Sequence, residues 1–121
     1  MEIHFEAAEN DILKIRLVGR FDVDGTQKIE GPLRTTAPGT PHARVCVDLT
    51  GVDYLSSVGL GCLVHTAQDV DRVEGKMVLL NPQPIVAKLL KESGVSMHVR
   101  VFDTWTAASA FLERLPRAGG D

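Results

Sequence analysis

Nowhere in these 121 residues do lysine and arginine cluster, and the net charge is −3. Proteins that bind nucleic acid draw much of their affinity from neutralised phosphates and normally carry a basic stripe for it. No nucleic-acid partner is expected. No apolar run approaches the roughly 20 residues needed to span a bilayer. The N-terminus, Met1-Glu2-Ile3-His4, lacks the basic-then-apolar order of a secretory signal. The expectation is a cytoplasmic chain without membrane attachment. Aromatic residues are scarce, with one Trp, one Tyr and four Phe, so the core has to be aliphatic. The two cysteines, Cys46 and Cys62, fall in apolar segments, where buried free thiols in a reducing compartment are the simplest state. No metal-ligand spacing joins them to His4, His42, His65 or His98. There is no Gly-Lys-Ser/Thr phosphate loop and no Gly-x-Ser-x-Gly elbow. No metal, no cofactor and no enzymatic activity are expected.

What is present is an ordinary globular balance, 44% apolar and 24% charged, at a length that suits one domain. Residues 3–7 and 11–18 read as strands, the second alternating Leu13, Ile15 and Leu17 against Lys14 and Arg16. Glu9-Asn10 between them is turn chemistry, which predicts a hairpin. Gly19-Arg20-Phe21-Asp22 closes the second strand, and Asp22 or Asp24 can cap a helix running to about Leu33. Residues 35–41 form a loop by composition. Arg44–Leu49 reads as a buried strand, ending at Asp48 and followed by a loop containing Asp53. A helix over 58–72, a break at Gly75 and a strand at Met77–Leu80 come next. Pro84 opens a helix with Ile85, Val86, Leu89 and Leu90 as its apolar stripe, closed by Gly94. His98–Phe102 reads as a strand, and Thr104 caps a last helix through Leu115, burying Ala107, Ala108, Phe111 and Leu112. The pattern predicts a single α/β domain over 1–116, with 117–121 as a flexible tail. Its central sheet is mixed, an initial hairpin plus mostly parallel strands, with about four helices.

The most informative stretch is Leu55-Ser56-Ser57-Val58-Gly59-Leu60-Gly61. Two hydroxyls stand at a strand-to-helix connection, ahead of Leu60, Leu63, Val64 and Ala67 at the spacing of one buried helical face. A serine there can cap the helix. The same open turn and the positive end of the helix dipole also favour a phosphate. His65 lies eight residues beyond Ser57, about 12 Å along a helix, which argues against a Ser-His hydrolase.

Four pieces of the sequence, in order, resemble the STAS domains of bacterial anti-sigma-factor antagonists. They are Ile15–Asp22, Val47–Leu60, Gly75–Leu79 with Pro84 and Lys88–Leu90, and Ser93–Val95 through Val101–Asp103. The resemblance covers nearly the whole chain. It implies that Ser57 is a phosphoacceptor, that Asp22 is the acidic residue beside it, and that Ser56 stands where many members have Asp. It further implies partner switching. The unphosphorylated form binds a GHKL-type serine kinase that serves as the anti-sigma factor, and so releases that factor's target. Phosphorylation ends binding, and a PP2C-type phosphatase restores it. Family members are usually monomers. On this resemblance the partner surface comprises Arg20, Phe21, Asp22, Ser56, Ser57, Val58, Gly59 and Leu60. A buried aromatic is the commoner role for a Phe such as Phe21. The alternatives are a STAS scaffold in a larger sensory or transport complex that is never phosphorylated, a nucleotide-binding STAS domain, and a minor hydrolase using Ser57.

Overall fold

The computed structural model describes residues 1–116; the expected tail at 117–121 lies outside the described residues. Strands β1 (Glu2–Ala7) and β2 (Ile12–Phe21) form the expected hairpin around a short 3-10 turn at Glu9–Asp11. Helix α1 (Val23–Thr36), strand β3 (Arg44–Leu55), helix α2 (Ser57–Asp71), strand β4 (Lys76–Leu80) and helix α3 (Pro84–Glu92) follow. Strand β5 (Val101–Phe102) and helix α4 (Trp105–Glu113) complete the domain. The sheet runs β1-β2-β3-β4-β5, antiparallel between β1 and β2 and parallel elsewhere. The predicted mixed α/β architecture with four helices is therefore the one observed.

The period-2 alternation of the strands sorts side chains between two layers. Ile15, Leu17, Val45, Val47, Met77 and Leu79 face a core shared with Ile29 and Leu33 of α1, Cys62, Leu63 and Val70 of α2, and Val86 and Leu90 of α3. Ile12, Cys46, Val78 and Leu80 point the other way, against Ala108 and Leu112 of α4. Both cysteines are buried free thiols, and burial pushes Cys46 up to about 12 and Cys62 up to about 11. At neutral pH both are inert thiols.

Several boundaries differ from the sequence expectation, each for a tertiary reason. Strand β3 does not stop at Leu49 but runs to Leu55, because β2 supplies partners as far as Phe21 opposite Leu55, across irregularities near Gly51. Asp48 is thus a buried mid-strand residue bonded to Thr50, and Asp53 lies in the strand. Strand β5 is shorter than His98–Phe102, since a 3-10 turn at Val95–Met97 takes the backbone N–H groups of His98 and Val99 onto the Val95 carbonyl. Gly94 sits at φ +83, as a residue closing α3 should.

The fully buried face of α2 is Gly59, Cys62, Leu63, Thr66 and Val70. Leu60, Val64 and Ala67 flank it, partly buried against the same core. In α3 the buried pair is Val86 and Leu90, while Ile85 is exposed; in α4 Ala107 is exposed and Phe111 half-buried. Each helix touches the sheet along a narrower line than its apolar pattern suggested.

Helices α1 and α2 are joined across the layer by Arg34, whose Nε and Nη2 donate to Asp69 at 2.8 and 3.3 Å. The Arg34 hydrogen bonds hold the Asp69 carboxyl below its ordinary range, and Arg72 adds to this at 2.7 Å. Replacing Arg34 by Met should lower the urea denaturation midpoint at pH 7, by an amount that solvent screening of this surface pair keeps small. The stability due to Asp69 is complete above the unfolded carboxylate value of about 3.9 and is lost as pH falls through its lower folded value. The gap between wild type and Arg34→Met should therefore close below that pH.

Candidate functional site

At the C-terminal edge of the sheet, β2 and β3 each hand over directly to a helix, and the two hand-overs share one backbone carbonyl. Asp22 caps α1: its side chain accepts from Gly25 N at 2.8 Å and its carbonyl from Thr26 N and Oγ1. Ser56 caps α2: its Oγ accepts from Gly59 N at 3.1 Å, and its carbonyl from Leu60 N at 2.9 Å. The Ser56 N–H and hydroxyl both donate to the Phe21 carbonyl, at 2.9 and 3.0 Å. The residue before Asp22 is thereby tied to the residue before Ser57.

Sterics tighten the junction. The Phe21 ring is fully buried. A Cβ on Gly59 would stand 2.7 Å from the Phe21 carbonyl oxygen, 2.8 Å from its ring and 2.9 Å from a Leu55 methyl. Glycine is needed here for close approach. A side chain on Gly25 would likewise collide with the Arg20 carbonyl.

The structure separates the predicted site residues by role. Ser57, the first residue of α2, is exposed, and among the described residues its hydroxyl makes no hydrogen bond. Val58 is 48% exposed beside it. Ser56 is the cap, which settles the job of the first hydroxyl. Leu60 is half-buried, and Gly59 is buried beneath the turn. Phe21 corrects the expectation for its side chain: the ring is a core plug, and only its carbonyl serves the site. Asp22 is brought to the junction, where the Gly25 N–H and then Arg20 hold its carboxyl below the ordinary range.

Arg20 is exposed, with Nε 3.2 Å from Asp22 and its guanidinium 3.9 Å over the ring of Tyr54. Tyr54, 40% exposed, and Val23, 50% exposed, were not singled out in the sequence. Their signal was faint: each is an apolar residue one or two positions from a cap. The segments that meet at Ser57 therefore present exposed apolar side chains, Val23, Tyr54 and Val58, among three carboxylates, Asp22, Asp24 and Asp53, and one cation, Arg20. Among the described residues no three His, Cys, Asp or Glu side chains gather to hold a metal, and no helix is long and apolar enough to cross a membrane.

The STAS domain family profile matches residues 6–108. The chain belongs to the STAS domain family. Two curated relatives carry the name of one group within it. The anti-sigma F factor antagonist of Lysinibacillus sphaericus is 24% identical over 95 residues, covering 78% of this chain and 81% of that protein. BtrV of Bordetella bronchiseptica, assigned by name to the anti-sigma factor antagonists, is 36% identical over 75 residues, covering 61% and 65%. The solved structure of phosphorylated SpoIIAA, described as a Bacillus cell fate determinant, superposes with a TM-score of 0.66 at 21% identity, over 91% of this chain and 99% of that one.

Paired substitutions test the division of roles. Ser56→Ala should cost about 1–2 kcal/mol, as loss of a helix cap does. Ser57→Ala should stay within about 0.5 kcal/mol, as for an exposed site. Gly59→Ala should cost about 1–3 kcal/mol through overpacking. Chemical denaturation of the three variants checks all of these.

Proposed function

We infer that this domain is an anti-sigma factor antagonist of a partner-switching system and that Ser57 is its phosphoacceptor. The observation that carries the reading is the split between the two serines. Ser56 is engaged in four hydrogen bonds within the fold, and Ser57, the first residue of the helix, presents a free hydroxyl.

In this reading the partner is a GHKL-type serine kinase that also acts as the anti-sigma factor, in the cytoplasm, and the domain itself catalyses nothing. The γ-phosphoryl of ATP passes to Ser57 Oγ, the hydroxyl proton leaves, and ADP departs. A PP2C-type phosphatase hydrolyses the phosphoserine to reset the protein. Phosphoserine brings about −1.5 to −2 charge and three acceptor oxygens. The open N–H groups and dipole of the first turn of α2 favour that charge, so the domain keeps its fold. A partner packed on Val23, Tyr54 and Val58 would have to desolvate the same charge, and it dissociates instead. The Asp that many family members carry at position 56 is also a good cap, so Ser56 preserves that function.

Affinity capture from the native host with wild type and Ser57→Asp tests the reading, together with phosphate mapping after addition of ATP. The expected result is a kinase held by wild type, phosphate on Ser57, and binding weakened at least about a hundredfold by Ser57→Asp, which is roughly 3 kcal/mol. Its thermal stability should change by less than about 1 kcal/mol. Equal capture by both proteins with Ser57 unmodified would reject the switch in favour of an unphosphorylated scaffold.

A further inference from the structure

The charges around Ser57 are unbalanced. Residues 20–24 and 53–58, the two segments that meet at the Phe21–Ser56 junction, carry three carboxylates (Asp22, Asp24 and Asp53) and one cation, Arg20. The first turn of α2 adds no acidic residue. In the unphosphorylated protein Arg20 is shared between the Asp22 carboxylate at 3.2 Å and the Tyr54 ring at 3.9 Å. Both contacts lie at the surface: the side chain of Arg20 is 62% exposed and that of Asp22 33%. Exposed ion pairs of this kind are weakly held, and a long side chain exchanges between partners at small cost.

We propose that Arg20 is the phosphate-receiving residue of the site, leaving Asp22 and Tyr54 to pair with the phosphoryl group on Ser57. The inference rests on the phosphoacceptor reading of Ser57. Three features support it. A phosphate dianion is a stronger hydrogen-bond acceptor for a guanidinium than a lone carboxylate, because it offers more oxygens and more charge in the fork geometry. Asp22 is not abandoned when Arg20 moves, since it keeps the Gly25 N–H at 2.8 Å and α1 keeps its cap. Asp22 and Ser57 flank one hydrogen-bonded junction, Phe21 O with Ser56 N and Oγ, so Arg20 changes partners across a rigid hinge of backbone.

The consequence is a second change at the partner surface. Phosphorylation then adds charge at Ser57 and also uncovers the Tyr54 ring and frees one face of the Asp22 carboxylate. The phosphorylated form presents a different surface to whatever must recognise it for dephosphorylation.

The test installs phosphoserine at position 57 by cotranslational incorporation, in wild type and in Arg20→Gln, so that no kinase is involved. Tyr54 is the single tyrosine of the chain, and its ring resonances are therefore read without ambiguity. On phosphorylation the Tyr54 ring signals of the wild type should move to the positions they hold in Arg20→Gln. The phosphorus-31 titration midpoint of phosphoserine should lie at least about 0.5 pH unit lower in wild type than in Arg20→Gln, as an opposite charge within a few ångströms requires. Unchanged Tyr54 signals with equal midpoints would overturn the proposal. A kinase that ignores Ser57 defeats the phosphoacceptor reading and leaves this measurement standing, so the two failures are distinguishable.

Discussion

The carbonyl of Phe21 is the constraint on which this surface depends. It accepts two hydrogen bonds from Ser56, and through them the end of β2 is fastened to the start of α2. The same residue buries its ring beneath Gly59, so the backbone bond and the core contact fix one geometry between them. A larger residue at 59 would push the helix off the carbonyl, and a smaller one at 21 would leave a cavity under the turn. Because Asp22 follows Phe21 directly, the cap of α1 inherits its position from the same junction.

That junction explains how one turn can be firm and still chemically available. A helix start needs its first N–H groups satisfied, and an adjacent hydroxyl is the usual means. Here Ser56 does this from outside the helix, which leaves the side chain of Ser57 with no structural duty. The exposed residues around it, Val23, Tyr54 and Val58, give an apolar rim that suits a protein partner. A new charge in the middle of such a rim acts on the complex far more than on the fold. Stability and binding are thereby separated in the residues that carry them, which a phosphorylation switch of the proposed kind requires.

Much of the fold was legible because its signals are local. The alternation of Leu13, Ile15 and Leu17, the turn at Glu9-Asn10, the caps at Asp22 and Thr104 and the glycine at 94 each act over a few residues. The site was legible to the same extent: two hydroxyls ahead of an apolar helix mark a cap. What escaped was non-local. The last six residues of β3 look like a loop because Thr50, Gly51 and Asp53 have little strand character, and they are held extended by β2. The strand expected at His98–Phe102 is mostly turn, because Val95 collects the hydrogen bonds of the residues after it. The buried faces of α2, α3 and α4 are narrower than their apolar stripes or slightly rotated from them, since a period fixes a stripe and the neighbouring layer fixes which part of it is covered.

By itself the sequence determined the order of elements, the mixed sheet, the aliphatic core and the location of the serine turn, because propensity, period and capping chemistry are written in neighbouring residues. Only the tertiary structure decided which serine is the cap and which is free. It also turned Phe21 inward and set Arg20 between Asp22 and Tyr54. Those assignments follow from contacts between segments about 35 residues apart. Such distances in the chain are closed by packing, and no local pattern records them.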